Sequence, residues 1–205
     1  MPTSTEPGPG AAAAASPATS GVLRQQATIE IPDGIEVRLE GREIVVTGPA
    51  GAIRRSFPVE ALELRRVAAG LEVTLKLPPH RKKARALLNT WIAHSRNLLT
   101  GAQFGFEAKL KSVAAHFPMK LQVKENHLLI ENFLGEKFPR TAEILPGVSA
   151  SVEGEFVLLR GADIELVGRC AATIERTTHI RNYDPRVFQD GIYIVERAHP
   201  REAGG

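Results

Sequence analysis

The stretch Ile44-Val45-Val46, followed by Gly51, returns 84 residues later as Leu128-Leu129-Ile130, followed by Gly135. The same offset carries Gly70 to Gly154, Val73 to Val157, Leu75 to Leu159 and Lys76 to Arg160. Phe57-Pro58 finds a counterpart in Phe138-Pro139 after a three-residue slip. A solenoid needs at least about three stacked units, so a two-fold repeat of this length reads as two similar small domains in tandem.

Working outward in the first copy, Val37 and Leu39 alternate with polar residues over Glu36 to Glu40. Glu43 to Thr47 follows after a tight connection at Gly41, and Ala52 to Phe57 and Leu71 to Leu77 are further strands by the same period of two. Pro78-Pro79 then breaks the sheet pattern and opens a helix. Its apolar positions Ala84, Leu87, Leu88, Trp91, Ile92, Leu98 and Leu99 follow helical spacing, with small Ser95 in the gap and Gly101 as the closing cap. In the second copy, strands are expected at Glu107 to Ala114, Lys120 to Lys124, His127 to Glu131, Lys137 to Thr141 and Phe156 to Arg160. Asp163 is the expected N-cap of a second helix, whose stripe is Ile164, Val167, Ala171 and Ile174, with Cys170 beside it.

The fold class that follows is α+β: two tandem similar domains, each an antiparallel sheet covered by a helix. The expected division is a disordered Ala/Pro-rich tail at 1–24, a first domain at 25–103, a second at 104–182 and a C-terminal extension at 183–205. The leader has no large apolar residue after Met1 to set against its ordering entropy. Its alanine run, Ala11 to Ala15, is too short for a signal peptide and has no basic residue before it. No apolar run approaches the roughly 20 residues a membrane helix requires. The single cysteine, Cys170, excludes an intrachain disulfide and suits a reducing compartment.

Charge is segregated along the chain. Val73 to Lys124 holds ten basic residues and one acid, Glu107; the rest of the chain keeps 16 of the 26 basic residues and 22 of the 23 acids. Mixed surface signs repel less, so folding alone gives no reason for this sorting, and a polyanionic partner does. Two constellations are candidate nucleic-acid contacts. The first is the helix start Arg81, Lys82, Lys83 and Arg85, whose face continues through Asn89 and Arg96 without an acid. The second is the irregular stretch from Arg176 to Tyr193. It gathers groups that bind phosphate, reach base edges or stack on unpaired bases: Arg176, His179, Arg181, Asn182, Arg186, Phe188, Gln189 and Asp190 among them. On this reading a chain cut after Thr178 keeps both domains folded but loses RNA affinity.

Catalysis has little support. The six histidines show no metal-ligand spacing, and there is no P-loop and no GxGxxG. Gly48-Pro49-Ala50-Gly51 is a turn between strands rather than a nucleic-acid clamp, which needs a helix after it. Cys170 beside a helix stripe is an inert buried thiol. His179 with Asp184 or Asp190 can be drawn as an acid–base pair, but such drawings come easily among 23 acids. No catalytic residue, metal, cofactor or small-molecule substrate is therefore assigned. An RNA-processing or RNA-modifying enzyme is the alternative; an adaptor would need an exposed apolar patch.

Arg186-Val187-Phe188-Gln189-Asp190-Gly191-Ile192-Tyr193, Gly105-Phe106-Glu107-Ala108-Lys109-Leu110-Lys111 and Ala115-His116-Phe117-Pro118 resemble the large-subunit ribosomal protein L-six family in its archaeal and eukaryotic branch. The resemblance covers about Ala27 to Val195. It implies a cytoplasmic, non-enzymatic constituent of the large ribosomal subunit, with ribosomal RNA and neighbouring ribosomal proteins as partners. It also implies a place near the sarcin–ricin loop and the base of the factor-binding stalk. By motif match the resemblance points to Arg181, Asn182, Arg186, Phe188, Gln189 and Asp190 as RNA contacts. The leader lies outside the family core, and the Gly- and Lys-rich tail of the bacterial form is missing here.

Overall fold

Six strands and a helix occur twice in the same order. The computed structural model describes residues 26–68, 70–76, 82–181, 183–184 and 186–201. The readings of the leader, of Leu77, of Pro78-Pro79, of Arg81 and of Asn182 lie outside the described residues. The first unit runs β1 (Gln26–Ile29), β2 (Glu36–Glu40), β3 (Glu43–Gly48), β4 (Gly51–Ser56), β5 (Leu62–Val67), β6 (Gly70–Leu75) and α1 (Lys82–Gln103). The second runs β7 (Phe106–Val113), β8 (Lys120–Lys124), β9 (His127–Glu131), β10 (Arg140–Glu143), β11 (Val148–Glu153), β12 (Phe156–Gly161) and α2 (Ile164–Thr177). It then adds β13 (Gly191–Pro200).

All pairings are antiparallel, and each unit divides its strands between two small sheets. The order β2-β3-β4 repeats as β8-β9-β10, and β1-β6-β5 repeats as β7-β12-β11, with β13 added on the free edge of β7. The chain is therefore duplicated in topology as well as in sequence.

Alternation explains the burial. Ile44 and Val46 on β3, and Leu128 and Ile130 on β9, are fully enclosed, and the residues between them are more exposed. Each such side chain contributes about 1.5–3 kcal/mol on leaving water. The two cores are distinct clusters: one runs from Ile29 to Ala102, the other from Phe106 to Ile192. Trp91 packs edge-on to Phe57 in the first, and Cys170 is buried in the second.

Five elements depart from the sequence reading. β1, β5, β11 and β13 were not anticipated. β5 carries Glu63, Arg65 and Arg66, and β11 carries Ser149, Ala150 and Ser151, so neither shows a strong apolar period. The strand expected at Lys137 to Thr141 starts only at Arg140, behind a 3₁₀ turn at Phe133–Gly135. The match of Phe57 with Phe138 is consequently not structural: Phe57 is buried and Phe138 is 83% exposed. Gly101 does not close α1. It lies inside the helix, and a Cβ there would stand 2.1 Å from the Ala162 carbonyl oxygen and 2.8 Å from the Phe106 ring. The left-handed residue after the helix is Gly105 (φ +74°), whose N–H donates to the Gly101 carbonyl at 2.9 Å.

The close approach at Gly101 joins the two units. Arg55 of β4 pairs with Glu165 of α2, and His94 of α1 lies 3.6 Å from the same carboxylate. Burial, then the Arg55 charge, holds the His94 ring below its usual range. Two glycine-to-alanine changes should act with opposite signs. Gly101→Ala forces backbone apart at the junction and should lower stability by about 1–3 kcal/mol. Gly168→Ala, in α2 with nothing within 4 Å of a new Cβ, should raise it by about 0.5–1 kcal/mol. Denaturant midpoints with unchanged slopes would check both.

Candidate nucleic-acid interface

The end of α2 is fastened from three sides. Arg140 of β10 donates to the Thr177 carbonyl at 2.8 Å and the His179 carbonyl at 3.4 Å, a cation on the carbonyls at the helix C-terminus. Its guanidinium is oriented by both oxygens of Glu136, at 2.9 and 2.7 Å, and lies 4.2 Å from the Phe133 ring centre. The Arg140 hydrogen bond holds the Glu136 carboxyl below the usual carboxylate range against the opposing effect of burial. On the second side, the Thr178 hydroxyl accepts from the Ile192 N–H at 2.9 Å and donates to the Glu175 carbonyl at 3.1 Å. Glu175 accepts from the Ile194 N–H at 3.3 Å. Side chains from the end of α2 thus cover two donors of β13, an edge strand that would otherwise present them to any passing chain.

The third fastening is Asp190. It is 1% exposed, accepts the N–H groups of Ala115 at 2.8 Å and His116 at 3.0 Å, and lies 2.7 Å from His116 Nδ1. Burial pushes its carboxyl up, but the hydrogen bonds from His116 and Ala115 prevail and hold it below its ordinary value. The His116 ring is stacked on Phe188, with centres 4.7 Å apart and planes at 25°. Phe188 in turn supports Tyr183 at 4.7 Å. Between them the backbone is closed by an Asp184 turn, whose carboxylate accepts from the Arg186 N–H at 2.9 Å. The Tyr193 hydroxyl donates to the Gln189 carbonyl at 3.1 Å.

These fastenings leave two hollows side by side. One, of about 360 Å³, is bordered by Arg176, His179, Arg181 and Tyr183. The other, of about 530 Å³, is bordered by Arg176, His179, Phe188 and Gln189. Arg176, His179 and Ile180 form the ridge between them. Arg186 stands exposed on the loop. Among the described residues, none of Arg176, Arg181 and Arg186 has a carboxylate within ion-pair distance.

The structure brings Arg176, His179, Arg181, Phe188 and Gln189 to the borders of the two hollows, and Arg186 to neither. Asp190 stands apart from that group: its buried carboxylate is taken up by Ala115 and His116 and positions the segment from within. Lys82, Lys83 and Arg85 are exposed on α1 in the other unit and border neither hollow. Within the basic window, Lys111 lies 3.7 Å from Glu155, and Lys109 sits over the Phe156 ring at 4.4 Å. The described cations of α1 and β8 have no carboxylate partner, so their charge is available to an outside anion.

Two residues that matter here were missed. His116 and Arg140 each act on a segment distant in sequence, and no local period marks such contacts. The acid–base drawing also changes, because Asp190 pairs with His116 and not with His179. No group of three or more His, Cys, Asp or Glu among the described residues is arranged to hold a metal. Burial raises the Cys170 thiol pKa, and its sulfur accepts from the Leu145 N–H. No helix of the described residues is long and apolar enough to cross a membrane.

The chain is 42% identical to the large ribosomal subunit protein uL6 of Methanococcus vannielii over 170 residues, 83% of this chain and 92% of that protein. It belongs to the uL6 family. The uL6 proteins of Methanosarcina mazei and Ignicoccus hospitalis are 43% and 41% identical, again over 83% of this chain and over 96% and 94% of theirs. The ribosomal protein L6 family model matches residues 117–191, the span that carries α2, the lining of the first hollow and Asp190.

In this uL6 member, Asp190→Asn keeps the shape of the side chain but loses a charged acceptor. The change should cost roughly 1.5–3 kcal/mol. The sign with pH follows from the lowered carboxyl: its contribution is full above the unfolded value of about 4 and fades as pH falls through the lower folded value. Thermal melts of both proteins should therefore differ most at neutral pH and converge in acid.

Proposed function

We propose that this chain is a non-enzymatic constituent of the large ribosomal subunit that grips ribosomal RNA with the outer end of α2 and the loop before β13. The observation that carries the reading is Arg176 and Arg181 on the border of one hollow, with Arg186 exposed on the following loop, on a scaffold fixed by Arg140, Thr178 and Asp190, in a chain of the uL6 family. Arginines without carboxylate partners on a pre-set backbone suit phosphates, and the planar Gln189 and Phe188 beside them suit irregular RNA. The exposed cations of α1 supply a second contact surface on the first unit. Resemblance to the family supports a place near the sarcin–ricin loop and the base of the factor-binding stalk, among other ribosomal proteins, in the cytoplasm.

The chain cannot be tested by cutting after Thr178. That cut removes β13, Ile192 from the second core and the Asp190 anchor, so loss of RNA binding would report loss of fold. Point changes are the better probe. Affinity for large-subunit ribosomal RNA should fall with salt, each phosphate contact contributing about −0.7 to −0.9 to the slope of log K against log salt. Replacing Arg176, Arg181 and Arg186 together by alanine should flatten that slope by about 2–3 and leave the melting temperature in place. A wild-type affinity indifferent to salt would remove the reading.

A further inference from the structure

Tyr183 is left without a task by these cations. It is 56% exposed, yet its ring is set from behind by Phe188 at 4.7 Å, and Phe188 by the stacked His116 ring. His116 is in turn held by the buried Asp190 carboxylate. A surface tyrosine normally keeps its rotamer freedom, but this one has a buried anchor two rings beneath it. It borders the hollow of about 360 Å³ together with Arg176, His179 and Arg181. The one carboxylate on that border, Glu136, is engaged by the Nε and Nη2 edge of the Arg140 guanidinium. The hollow thus combines a fixed aromatic face with cations that have no carboxylate partner, at a volume suited to a small planar group.

An A-form duplex offers phosphates to such a place but no free base face. An unpaired nucleotide offers both. We propose that Tyr183 is the stacking platform for one unpaired nucleobase of RNA, with Arg176 and Arg181 on its flanking phosphates. The proposal rests on the RNA-binding reading and narrows it to a single-stranded or bulged nucleotide. Stacking accepts any base, so this seat selects for an unpaired state over a particular base identity. The ring face does the work, and the hydroxyl is dispensable.

The test uses the full chain on protein-free large-subunit ribosomal RNA. Dimethyl sulfate and a carbodiimide together report access to all four bases, and hydroxyl radicals report the backbone. Wild type and Tyr183→Phe should shield one or a few unpaired bases. Tyr183→Leu should leave those bases reactive, keep the backbone footprint and the melting temperature, and bind about 5- to 100-fold more weakly. Unchanged base protection in Tyr183→Leu would overturn the proposal and leave RNA binding standing. A fall in melting temperature with loss of both footprints would overturn it too, by showing a structural tyrosine. No footprint from the wild-type protein would overturn both this proposal and the reading beneath it.

Discussion

The buried carboxylate of Asp190 ties the far end of the chain to the loop after β7, across 75 residues of sequence to Ala115. It accepts two backbone N–H groups and faces an imidazole, so removing it would take the protein acceptor from both donors. Everything at the exposed end of the second unit is built outward from this point. Phe188 is oriented by the ring that Asp190 holds, Tyr183 by Phe188, and β13 begins at the next residue, Gly191. The Phe188 and Tyr183 rings are therefore set by contacts within the protein. Ordering entropy is spent at folding and not at the encounter with a ligand, which is what pre-organisation means energetically.

Duplication sets the frame on which this end is mounted. Both units use the same strand orders, but among the described residues only the second extends a sheet with an additional strand. That strand needs edge protection, and the end of α2 provides it through Thr178 and Glu175. The groups that shield β13 are thus the groups that bring Arg176 and His179 beside Phe188 and Gln189. The first unit, lacking an equivalent of β13 among the described residues, has no comparable fixed loop, and its cations stand on the plain surface of α1.

Local patterns made the frame legible and left the anchor hidden. Ile44 and Val46 against Leu128 and Ile130 announce their strands, since burial alternates with period two. Asp163 announces its helix, since its carboxylate accepts the Glu165 N–H two residues on. Charged β5 and small-residue β11 gave no such signal, because pairing to a central strand outweighs their weak propensity. Glycine was ambiguous at 101: a cap and a close approach both require it, and the approaching backbone, Ala162, belongs to the other unit. The candidate contacts were legible as residue types, and Arg176, His179, Arg181, Phe188 and Gln189 do converge. Their supports were not legible, since Arg140 and His116 act through contacts 37 and 74 residues away. The two aligned phenylalanines show the same limit from the other side. Phe57 and Phe138 share a following proline, yet one sits in a core and the other in solvent.

The two helices also differ in how they treat their own dipoles. α2 places Glu165 in its first turn and Arg176 in its last, both favourable. α1 has no acid in its first turn and opens on Lys82, Lys83 and Arg85, against the positive end. Each misplaced charge costs about 0.3–1 kcal/mol at low salt, and nothing inside the first unit offsets it: the cations are exposed and have no carboxylate partner among the described residues. A duplicated fold had a favourable arrangement ready in its other half and did not use it here. A charge pattern that works against the isolated helix at its first turn is what the polyanionic partner proposed above would offset.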